Sequence, residues 1–501
     1  MKVCLINPPL IVPRRWTPPT IFQPLGLAYI AAVLEKKHSV SILDACADGW
    51  KNFKVVDDQY YLGLDLNQIQ EKIIKIKPEI VGISIPFSII EKNVLAITEI
   101  VKKIDKNIFV FLGGAHASVV PEQLLTSPDV DFVIIGEGED TILELVQILE
   151  KKEFKRLPFI KGIAYRRSNE ILRTAPREFI QNLDALPFPS RHLLPMETYF
   201  LAAKEGRGPR RLYVPHYRWA TVITSRGCPY YCIFCSVHLT MGNIFRARSP
   251  ESVVQEIAEL IRKYDIKHIN LEDDNLTLDK QRFERICDLI IKQNLRFTWS
   301  APNGIRADTI DENLVKKMKL SGCYRVFVAP ESGVQEVVNT IIKKNLDLKK
   351  IEETVILFKK YGVIVDGSFV IGLPGETKED IQKTIKFALK LRKLGMDKAG
   401  FHIATPYYGT ELYQITRDKG YLKKDFNLQL LSPEEPLIET PEWTGKELRD
   451  LQLMAGWLVN FNFSEILRNP WFALKKIFLN FIKNPSRFRK AIKAGLGLTK
   501  K

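Results

Sequence analysis

Two series of short apolar segments, each separated by amphipathic segments, constrain the fold of this chain more than any other feature. In the first 150 residues the apolar runs predict five buried strands: "KVCLINPP", "SVSILDA", "IVGISIPFS", "IFVFLGGAHAS" and "DFVIIGEGE". Helical spacing of apolar residues lies between them, at 25–37, 66–76 and 91–104. Near-continuous Val, Ile and Leu strands alternating with helices are typical of a parallel sheet covered on both faces. We therefore expect an α/β, open, doubly wound domain whose ligand lies beyond the carboxyl ends of the strands.

The second series starts near residue 221 and contains six strand–helix units. Its predicted strands are "ATVITSRG", "HINLEDD", "RFTWSAPNGIRAD", "YRVFVAPESG", "IVDGSFVIGLPGE" and "AGFHIATPYYGT". Six units are too few for a closed eight-fold barrel, so they predict an open, partial (β/α)6 barrel with its site at the strand carboxyl ends. Polar groups follow these strands at a cysteine-rich loop, at Glu272-Asp273-Asp274, at Arg306, at Glu331-Ser332 and at 372–376.

A chain of 501 residues is too long for one core, and we expect four segments. They are a doubly wound domain at 1–155, a hairpin and proline-rich linker at 156–215, the partial barrel at 216–415, and a largely helical, basic extension at 416–501. The hairpin is expected to turn at Ser168-Asn169. No run of about 18 apolar residues predicts a membrane-spanning helix.

The stretch "SRGCPYYCIFCSVH" places three thiols at Cys228, Cys232 and Cys235, with His238 as the next metal-binding residue type. These four residues could form a structural zinc site of the Cys3His kind. The three thiols could also be buried structural cysteines. The third alternative is a [4Fe–4S] cluster in which three thiolates leave one iron open for a further ligand.

The motif "CPYYCIFC" resembles the CxxxCxxC signature of radical S-adenosylmethionine (SAM) enzymes, including the aromatic Phe234 before the last cysteine. The resemblance implies a [4Fe–4S] cluster on Cys228, Cys232 and Cys235, with SAM on the fourth iron, and a partial barrel fold. Glu272-Asp273-Asp274 stands where that family has Gly-Gly-Glu. The residues that the resemblance assigns to SAM are Phe234, Glu272, Asp273, Arg306, Glu331, Gly372 and Pro374.

The first domain lacks a Gly-x-Gly-x-x-Gly motif after its first strand, which argues against a dinucleotide site. It resembles the cobalamin-binding domain of mutases and methionine synthase, with Asp44 to Gly49 in place of Asp-x-His-x-x-Gly and Cys46 in the histidine position. The absent histidine fits cobalamin-dependent radical SAM enzymes that bind the cofactor base-off. The candidate cobalamin residues are Asp44, Cys46, Gly49, Ser84, Gly113, Gly114, His116, Gly136, Glu137 and Gly138.

Together the two resemblances imply an enzyme that cleaves SAM to a 5′-deoxyadenosyl radical and methylates an unactivated carbon through methylcobalamin. A cyclase or another carbon–carbon bond-forming enzyme is the alternative, because the anaerobic porphyrin cyclase has the same domain order. A cobalamin-binding sensor or carrier without catalysis is the alternative of another class. No residue is assigned an acid–base role. The side chains considered for the chamber lining, each expected to pack or hydrogen bond, are His216, Tyr324, His402, Tyr407 and Tyr408.

The net charge of +16 is concentrated at the end of the chain, where ten Lys and Arg face the single acid Glu465 from residue 454 onward. We expect this aromatic, basic tail to pack on the protein's own core, with peripheral membrane contact as the alternative reading. The remaining expectations are a small-molecule or lipid-like substrate, an external electron donor of flavodoxin or ferredoxin type, no nucleic acid, and a cytoplasmic location. The odd number of seven cysteines favours a reducing compartment, with Cys4, Cys287 and Cys323 in the core.

Overall fold

The computed structural model of the protein describes residues 1–14, 18–168, 170–208, 214–427 and 436–460. The strands are β1 Lys2–Asn7, β2 Leu10–Pro13, β3 Ser39–Asp44, β4 Phe53–Val56, β5 Gln59–Leu62, β6 Ile80–Ser84, β7 Phe109–Gly113, β8 Phe132–Ile134, β9 Ile163–Arg167, β10 Glu170–Arg173, β11 Trp219–Val222, β12 Ser225–Arg226, β13 Arg246–Ala247, β14 His268–Leu271, β15 Thr298–Ile305, β16 Cys323–Glu331, β17 Ile364–Ile371 and β18 Lys398–Ile403. The α-helices are α1 Leu25–Leu34, α2 Ala45–Asp48, α3 Leu66–Ile76, α4 Glu91–Ile104, α5 Ala115–Val119, α6 Pro121–Leu124, α7 Glu139–Glu150, α8 Met196–Lys204, α9 Val237–Thr240, α10 Pro250–Tyr264, α11 Lys280–Lys292, α12 Glu312–Leu320, α13 Leu348–Lys360, α14 Lys378–Leu394, α15 Glu411–Asp418 and α16 Gly445–Asn460.

The first sheet has the strand order β10-β9-β8-β7-β6-β1-β3, and the strands from β3 to β8 are parallel. The five parallel strands follow the order 2-1-3-4-5 of flavodoxin-like folds, so the predicted doubly wound domain is confirmed. Helix α1 ends at Leu34, three residues earlier than the sequence pattern suggested, whereas α3 and α4 have the predicted bounds. A separate antiparallel sheet, β2-β5-β4, lies outside this core sheet.

The hairpin of β9 and β10 extends the first sheet, although we expected it to belong to a linker. Strand β9 pairs antiparallel with β8, so that Phe132 lies opposite Tyr165. The side chains of Ile163, Ala164 and Tyr165 are buried. Burial of this apolar stretch against β8 protects what would otherwise be an open sheet edge.

The second sheet consists of six parallel strands in the order β11-β14-β15-β16-β17-β18, as the six strand–helix units predicted. The short antiparallel pair of β12 and β13 follows β11 and brackets residues 227–245, which include the cysteine-rich loop. The pairing of β15 with β16 and of β16 with β17 contains register shifts. Such irregularities change the direction of side chains. They occur on β15, which ends just before Arg306, and on β16, which ends at Glu331.

Helix α16 covers the last strand of the second sheet. The amide of Asn460 bonds both the backbone N–H (2.8 Å) and the carbonyl (2.7 Å) of Ala399, as a neighbouring strand would. Gln452 donates to the carbonyl of Phe401 at 2.9 Å. These contacts satisfy backbone groups that the end of a six-stranded sheet leaves open. The predicted basic tail from residue 461 onward lies outside the described residues, and among those described no helix is long and apolar enough to cross a membrane.

The hydrophobic core around the second sheet is continuous with part of the first domain. Ala28 and Ala47 of the first domain, together with Tyr199 and Phe200 of α8, belong to the same buried cluster as the helices of the second sheet. Two further clusters hold the faces of the first sheet. Because apolar burial connects the two sheets, their carboxyl edges are held in one fixed relation.

Candidate active site

The cysteine-rich loop occupies the carboxyl end of the second sheet. Its three thiols, Cys228, Cys232 and Cys235, are partly exposed. By contrast, Cys4, Cys46, Cys287 and Cys323 are buried, which confirms the core positions expected for three of them. Backbone bonds from Cys228 N to Gly242 O (3.3 Å) and from Cys235 N to Cys232 O (2.9 Å) hold the loop. The loop therefore presents three accessible thiols from one ordered turn.

The three thiols lie close enough to influence one another. The pKa of the Cys235 thiol is raised to about 12, mainly by burial, with smaller contributions from Cys232 and Cys228. Among the described residues no three His, Cys, Asp or Glu side chains converge on a single metal ion. His238 instead lies against the ring of Tyr231, with 6.1 Å between centroids. A [4Fe–4S] cluster attaches each thiolate to a different iron, so three thiols on one loop are a set that such a cluster can use.

The acidic segment after β14 positions the loop. Asp273, which the resemblance assigned to SAM, is buried and accepts a bond from the Thr224 hydroxyl at 2.7 Å and another from the Ser225 hydroxyl. Asp274 accepts from the backbone N–H of Gly227 at 2.9 Å, and burial raises its pKa to about 6. Both carboxyl groups thus hold the chain just before Cys228. Glu272, the first residue after β14, is half-buried.

Asn275, which the sequence analysis missed, touches the cluster position. Its Nδ2 lies 3.8 Å from the Cys228 sulfur, and its buried Oδ1 has no hydrogen-bond partner among the described residues. A buried acceptor without a partner costs free energy, about 1–3 kcal/mol. An ammonium group bound beside the cluster would satisfy it, so the donor set fits SAM. The only sequence signal was that Asn275 continues the Glu272-Asp273-Asp274 run.

Glu331 ends β16 in an unusual backbone conformation. Its φ of +64° lies in the left-handed region, which non-glycine residues rarely adopt. The carboxylate accepts a bond from Lys344 Nζ at 2.8 Å, and both side chains are buried. Burial raises the pKa of the Cys232 thiol. Lys344 lowers this pKa and Glu331 raises it, so both members of the ion pair lie close enough to Cys232 to act on its charge. Strain of this kind concentrates at functional sites. No sequence pattern pointed to Lys344.

Arg306, also assigned to SAM, contacts the cysteine-rich loop through the ring of Tyr230. Its guanidinium bonds both carboxylate oxygens of Asp308, at 2.6 and 3.0 Å, and the carbonyls of Lys344 and Asn345. Its flat face lies 3.5 Å from the ring centroid of Tyr230, between the first two cysteines. The donors of Arg306 are thus directed at protein groups and not at an open site.

The turn after β17 faces the C-terminal helix. A Cβ on Gly372 would overlap the side chain of Leu448 of α16, and Pro374 is buried. Glu376 folds back so that its Oε2 accepts from Gly372 N at 2.6 Å, and burial raises its pKa to about 8. Leu448 therefore occupies the space beside the Cα of Gly372, a residue that the resemblance assigned to SAM. Phe234 is half-buried and packs against the core of the second sheet.

Part of the predicted cobalamin set forms an open edge at the carboxyl ends of β6, β7 and β8. Ser84 lies opposite Gly113 in the sheet. Gly114 has a φ of +114°, and a Cβ there would come within 3.0 Å of the Ile85 carbonyl oxygen. Gly136 has a φ of +76° and open space where a Cβ would stand. The exposed ring of Phe87 stands at the same edge. A large planar ligand could approach this backbone closely, so the residues present fit a corrin.

Asp44, Cys46 and Gly49 do not join that edge. Asp44 caps α2 by accepting from Ala47 N at 3.0 Å and also binds the hydroxyl of Tyr199. The Cys46 thiol donates to the carbonyl of Pro8 at 3.1 Å, and burial raises its pKa well above the usual value. A Cβ on Gly49 would overlap the backbone after β5. These three residues pack the domain together, and the structure leaves Cys46 inaccessible to a ligand.

His116 differs in a similar way from its predicted role. Its Nε2 lies 2.7 Å from Glu91 Oε2, and its Nδ1 lies 2.9 Å from the hydroxyl of Ser88. Gln123 donates to both oxygens of the same carboxylate, at 2.9 and 3.0 Å. Because both ring nitrogens have protein partners, the imidazole orders α5 and is not presented to a cofactor.

Glu137 links the two sheets through buried charges. Its carboxylate bonds Arg226 at 2.8 Å and Arg246 at 2.7 Å, and Glu139 bonds Arg226 at 2.7 Å. We call these four residues the interdomain charge cluster; their side chains are only 2–6% exposed. Arg226 and Arg246 flank the cysteine-rich loop on β12 and β13. Gly138, at the start of α7, packs on Ile30. Glu137 therefore connects the open edge to the cysteine-rich loop.

The loops at both carboxyl edges also meet directly. Helix α5, which follows β7, contacts α9, which follows the last cysteine. A Cβ on Gly409 would lie 2.8 Å from Leu239 and 3.3 Å from Val119, so three loops converge there. The open edge of the first sheet thus faces the three-thiol loop of the second.

A doubly wound domain with a glycine-lined edge, facing a three-thiol loop on a six-stranded parallel sheet, defines the class of radical SAM enzymes that carry a cobalamin-binding domain. The profile of the radical SAM superfamily matches residues 222–388, and the profile of the B12 binding domain matches residues 15–146.

Relatives narrow the class to a family. The chain is 34% identical to an uncharacterized methyltransferase of Pyrococcus horikoshii, over 90% of each chain. It is 32% identical to the cytidylyl-2-hydroxyethylphosphonate methyltransferase of Streptomyces wedmorensis, over 90% of this chain and 88% of the relative. The chain belongs to the cobalamin-dependent radical SAM methyltransferase family. It is an enzyme whose cofactors are a [4Fe–4S] cluster, SAM and cobalamin.

A solved structure shows the same fold. The cobalamin-dependent SAM radical enzyme OxsB, with aqua-cobalamin and SAM bound, matches 98% of this chain and 70% of its own, at a TM-score of 0.69 and 19% identity. At that identity the likeness concerns the fold alone.

Proposed function

We propose that this protein transfers a methyl group to an unactivated carbon of a small molecule bound between its two carboxyl edges. The observation that carries the proposal is that the open, glycine-lined edge and the three-thiol loop face one another across one interface. When bound, the cluster and SAM would supply a carbon-centred radical, and the corrin would supply the methyl group. The chain's own residues hold these groups and exclude water.

For SAM, the proposed contacts are Asn275, Glu331 and Lys344, in addition to the half-buried Glu272. Asn275 offers an acceptor beside Cys228 that no described residue pairs with, and the Glu331–Lys344 pair offers one group of each sign beside Cys232. A zwitterionic amino acid end requires such a combination of acceptor and cation. Asp273, Asp274 and Arg306 act as positioning residues, because their polar atoms bind the loop and its neighbours.

For cobalamin, the proposed contacts are the backbone and small side chains of Ser84, Gly113, Gly114 and Gly136. We place the boundary of the cobalamin-binding domain after the hairpin of β9 and β10, since that hairpin completes the first sheet. The radical SAM domain then starts at β11 and includes the strands to β18, with α16 as part of its closure.

The proposed acceptor is a water-soluble small molecule. The Streptomyces relative is named for a cytidylyl phosphonate, a polar substrate, which favours this reading over a lipid-like acceptor. Each turnover also needs an electron from outside, and we propose a flavodoxin- or ferredoxin-type donor. The alternative proposal of membrane contact concerns the tail beyond residue 460, which lies outside the described residues, and only the sequence of that tail supports it.

The experiment is an anaerobic incubation of reconstituted protein with cobalamin, a reductant and SAM that carries a deuterated methyl group. We expect 5′-deoxyadenosine together with deuteriomethyl label in the corrin fraction, and label in the product once an acceptor is added. Label on the corrin without 5′-deoxyadenosine would favour a carrier, and an unlabelled, rearranged product would favour a cyclase.

A matched pair of variants controls the experiment. Cys235→Ala removes one thiol of the loop, whereas Cys287→Ala removes a buried thiol of α11 far from it in the chain. Only the first should abolish 5′-deoxyadenosine formation.

A further inference from the structure

The short helix α5 is bonded to all three strand ends of the open edge. The backbone N–H of His116 donates to the carbonyl of Ile85, which follows β6, at 3.2 Å. The helix begins directly after Gly114, which follows β7. The hydroxyl of Ser118 bonds the backbone of Gly136, which follows β8. One short helix therefore contacts each of the strand ends that the proposed function assigns to cobalamin.

The Ser118 hydroxyl bridges two of these backbones. It donates to the carbonyl of Gly114 at 2.9 Å and accepts from the N–H of Gly136 at 2.9 Å. A backbone carbonyl only accepts and a backbone N–H only donates, so the direction of both bonds is fixed. The side chain of Ser118 is 6% exposed, so little water competes for either bond.

The two bridged residues need such support because both are glycines in the left-handed region. Gly114 has a φ of +114° and Gly136 a φ of +76°. Among the described residues, nothing lies within 4 Å of the position that a Cβ on Gly136 would take. Glycine has the widest choice of backbone conformations, so the conformation of Gly136 is set by its bonds. The bond to Ser118 fixes the peptide group that joins Ile135 to Gly136.

The contribution of the hydroxyl is separable from that of the helix. The backbone N–H of Ser118 donates to the same Gly114 carbonyl at 3.0 Å, and this bond does not need the side chain. The imidazole of His116 holds α5 independently through Glu91 and Ser88. Loss of the hydroxyl would therefore leave α5 in place and release the backbone of Gly136.

We propose that Ser118 is a positioning residue for cobalamin, and this inference rests on the proposed function. Its hydroxyl fixes the spacing between the Gly114 and Gly136 backbones, which the corrin approaches. Without the hydroxyl, Gly136 samples several conformations and only a fraction of the protein has an edge that accepts the corrin. The apparent affinity for cobalamin falls by that fraction. Cleavage of SAM depends on the cysteine-rich loop of the other sheet and does not change.

The test is equilibrium dialysis of hydroxocobalamin against the full chain reconstituted with its cluster. We expect Ser118→Ala to bind about tenfold more weakly than the wild type. Ser118→Thr retains a hydroxyl that can bond the carbonyl four residues earlier, so it should bind within about threefold of the wild type. Thr98→Val is the matched control, because the Thr98 hydroxyl is buried in α4 of the same domain and bonds the Leu95 carbonyl at 2.8 Å. Its affinity should equal that of the wild type.

A second measurement needs no cobalamin. Amide hydrogen exchange of residues 133–138 reports the bond from Gly136 to Ser118 in the cofactor-free protein. We expect faster exchange at Gly136 in Ser118→Ala than in the wild type and Thr98→Val. Formation of 5′-deoxyadenosine from SAM and reductant should be equal in all four proteins, and their melting temperatures show that each is folded.

The outcomes separate this inference from the proposed function. Ser118→Ala that binds cobalamin as tightly as the wild type, or exchanges Gly136 at the same rate, would overturn the inference alone. Ser118→Thr as weak as Ser118→Ala would do the same, as would an equal loss of affinity in Thr98→Val. A loss of 5′-deoxyadenosine in Ser118→Ala would show a general structural role instead. Wild-type protein that binds no hydroxocobalamin would overturn the proposed function, and the inference with it.

Discussion

Glu137→Gln removes one negative charge from the interdomain charge cluster while keeping the shape of the side chain. In the wild-type protein the two carboxylates of Glu137 and Glu139 balance the guanidinium groups of Arg226 and Arg246. Burial lowers the pKa of Arg226, whereas Glu139 and Glu137 raise it, with a net rise. After the substitution one guanidinium charge stays buried without compensation. Breaking a buried pair in this way costs about 3–5 kcal/mol.

The structure places the expected cost near the lower end of that range. Arg226 keeps its bond to Glu139, and Arg246 keeps its bond to the carbonyl of Ile180 at 2.7 Å. We therefore expect Glu137→Gln to lower the free energy of unfolding by about 3 kcal/mol. Because Glu137 joins the open edge to the cysteine-rich loop, we also expect weaker binding of hydroxocobalamin.

The assay is urea unfolding followed by tryptophan fluorescence, with cobalamin affinity measured on the folded protein. Glu178→Gln is the matched control, since Glu178 pairs with Lys161 at the surface and is 74% exposed. An exposed pair contributes little, so this control should change stability by less than about 1 kcal/mol. If both substitutions had the same small effect, the charge cluster would not hold the two domains together.

Three further predictions follow from the site. Tyr230→Leu should lower the iron content retained after reconstitution while Tyr230→Phe should not, because Arg306 stacks on the ring at 3.5 Å and does not use the hydroxyl. Iron and sulfide analysis measures this content, and equal loss in both variants would contradict the stacking role. Lys344→Met should weaken SAM binding at least tenfold in equilibrium dialysis but leave cobalamin binding unchanged, and unaltered SAM affinity would remove Lys344 from the site. Burial raises the pKa of Glu376 to about 8, so the folded protein binds more protons than the unfolded chain between about pH 4.5 and 8. The free energy of unfolding should therefore fall as pH rises through that window, and it should fall less steeply in Glu376→Gln. Equal slopes in the two proteins would show that Glu376 does not cause the pH dependence.

The fold could be predicted from the sequence because it rests on local patterns. The short apolar runs in "IVGISIPFS" and "IFVFLGGAHAS" are typical of buried strands, and the helical segment between them indicates the parallel pairing that the structure has. The hairpin of β9 and β10 was predicted as a hairpin but assigned to the linker. Which sheet a hairpin joins depends on long-range pairing with β8, and no local pattern reports that.

The candidate site could be predicted only in part. The spacing of Cys228, Cys232 and Cys235 is a local motif, and the structure presents all three on one loop. Residues assigned by their position at strand ends, such as Asp273 and Arg306, proved to bind the protein itself. A polar side chain at a strand end can bind a ligand or can bind a neighbouring loop of the protein. Only its hydrogen-bond partners in the structure distinguish these two roles. Lys344 comes from a segment with no motif.

The central claim is that one chain holds a cluster on three cysteines and cobalamin on the facing edge, and uses both. Quantification of 5′-deoxyadenosine, in a single anaerobic preparation that retains corrin absorbance after gel filtration, tests it most directly. The account predicts bound corrin and reductant-dependent 5′-deoxyadenosine in the wild type, and bound corrin without 5′-deoxyadenosine in Cys228→Ala. Wild-type protein that releases the corrin, or that forms no 5′-deoxyadenosine with its iron content complete, would contradict it.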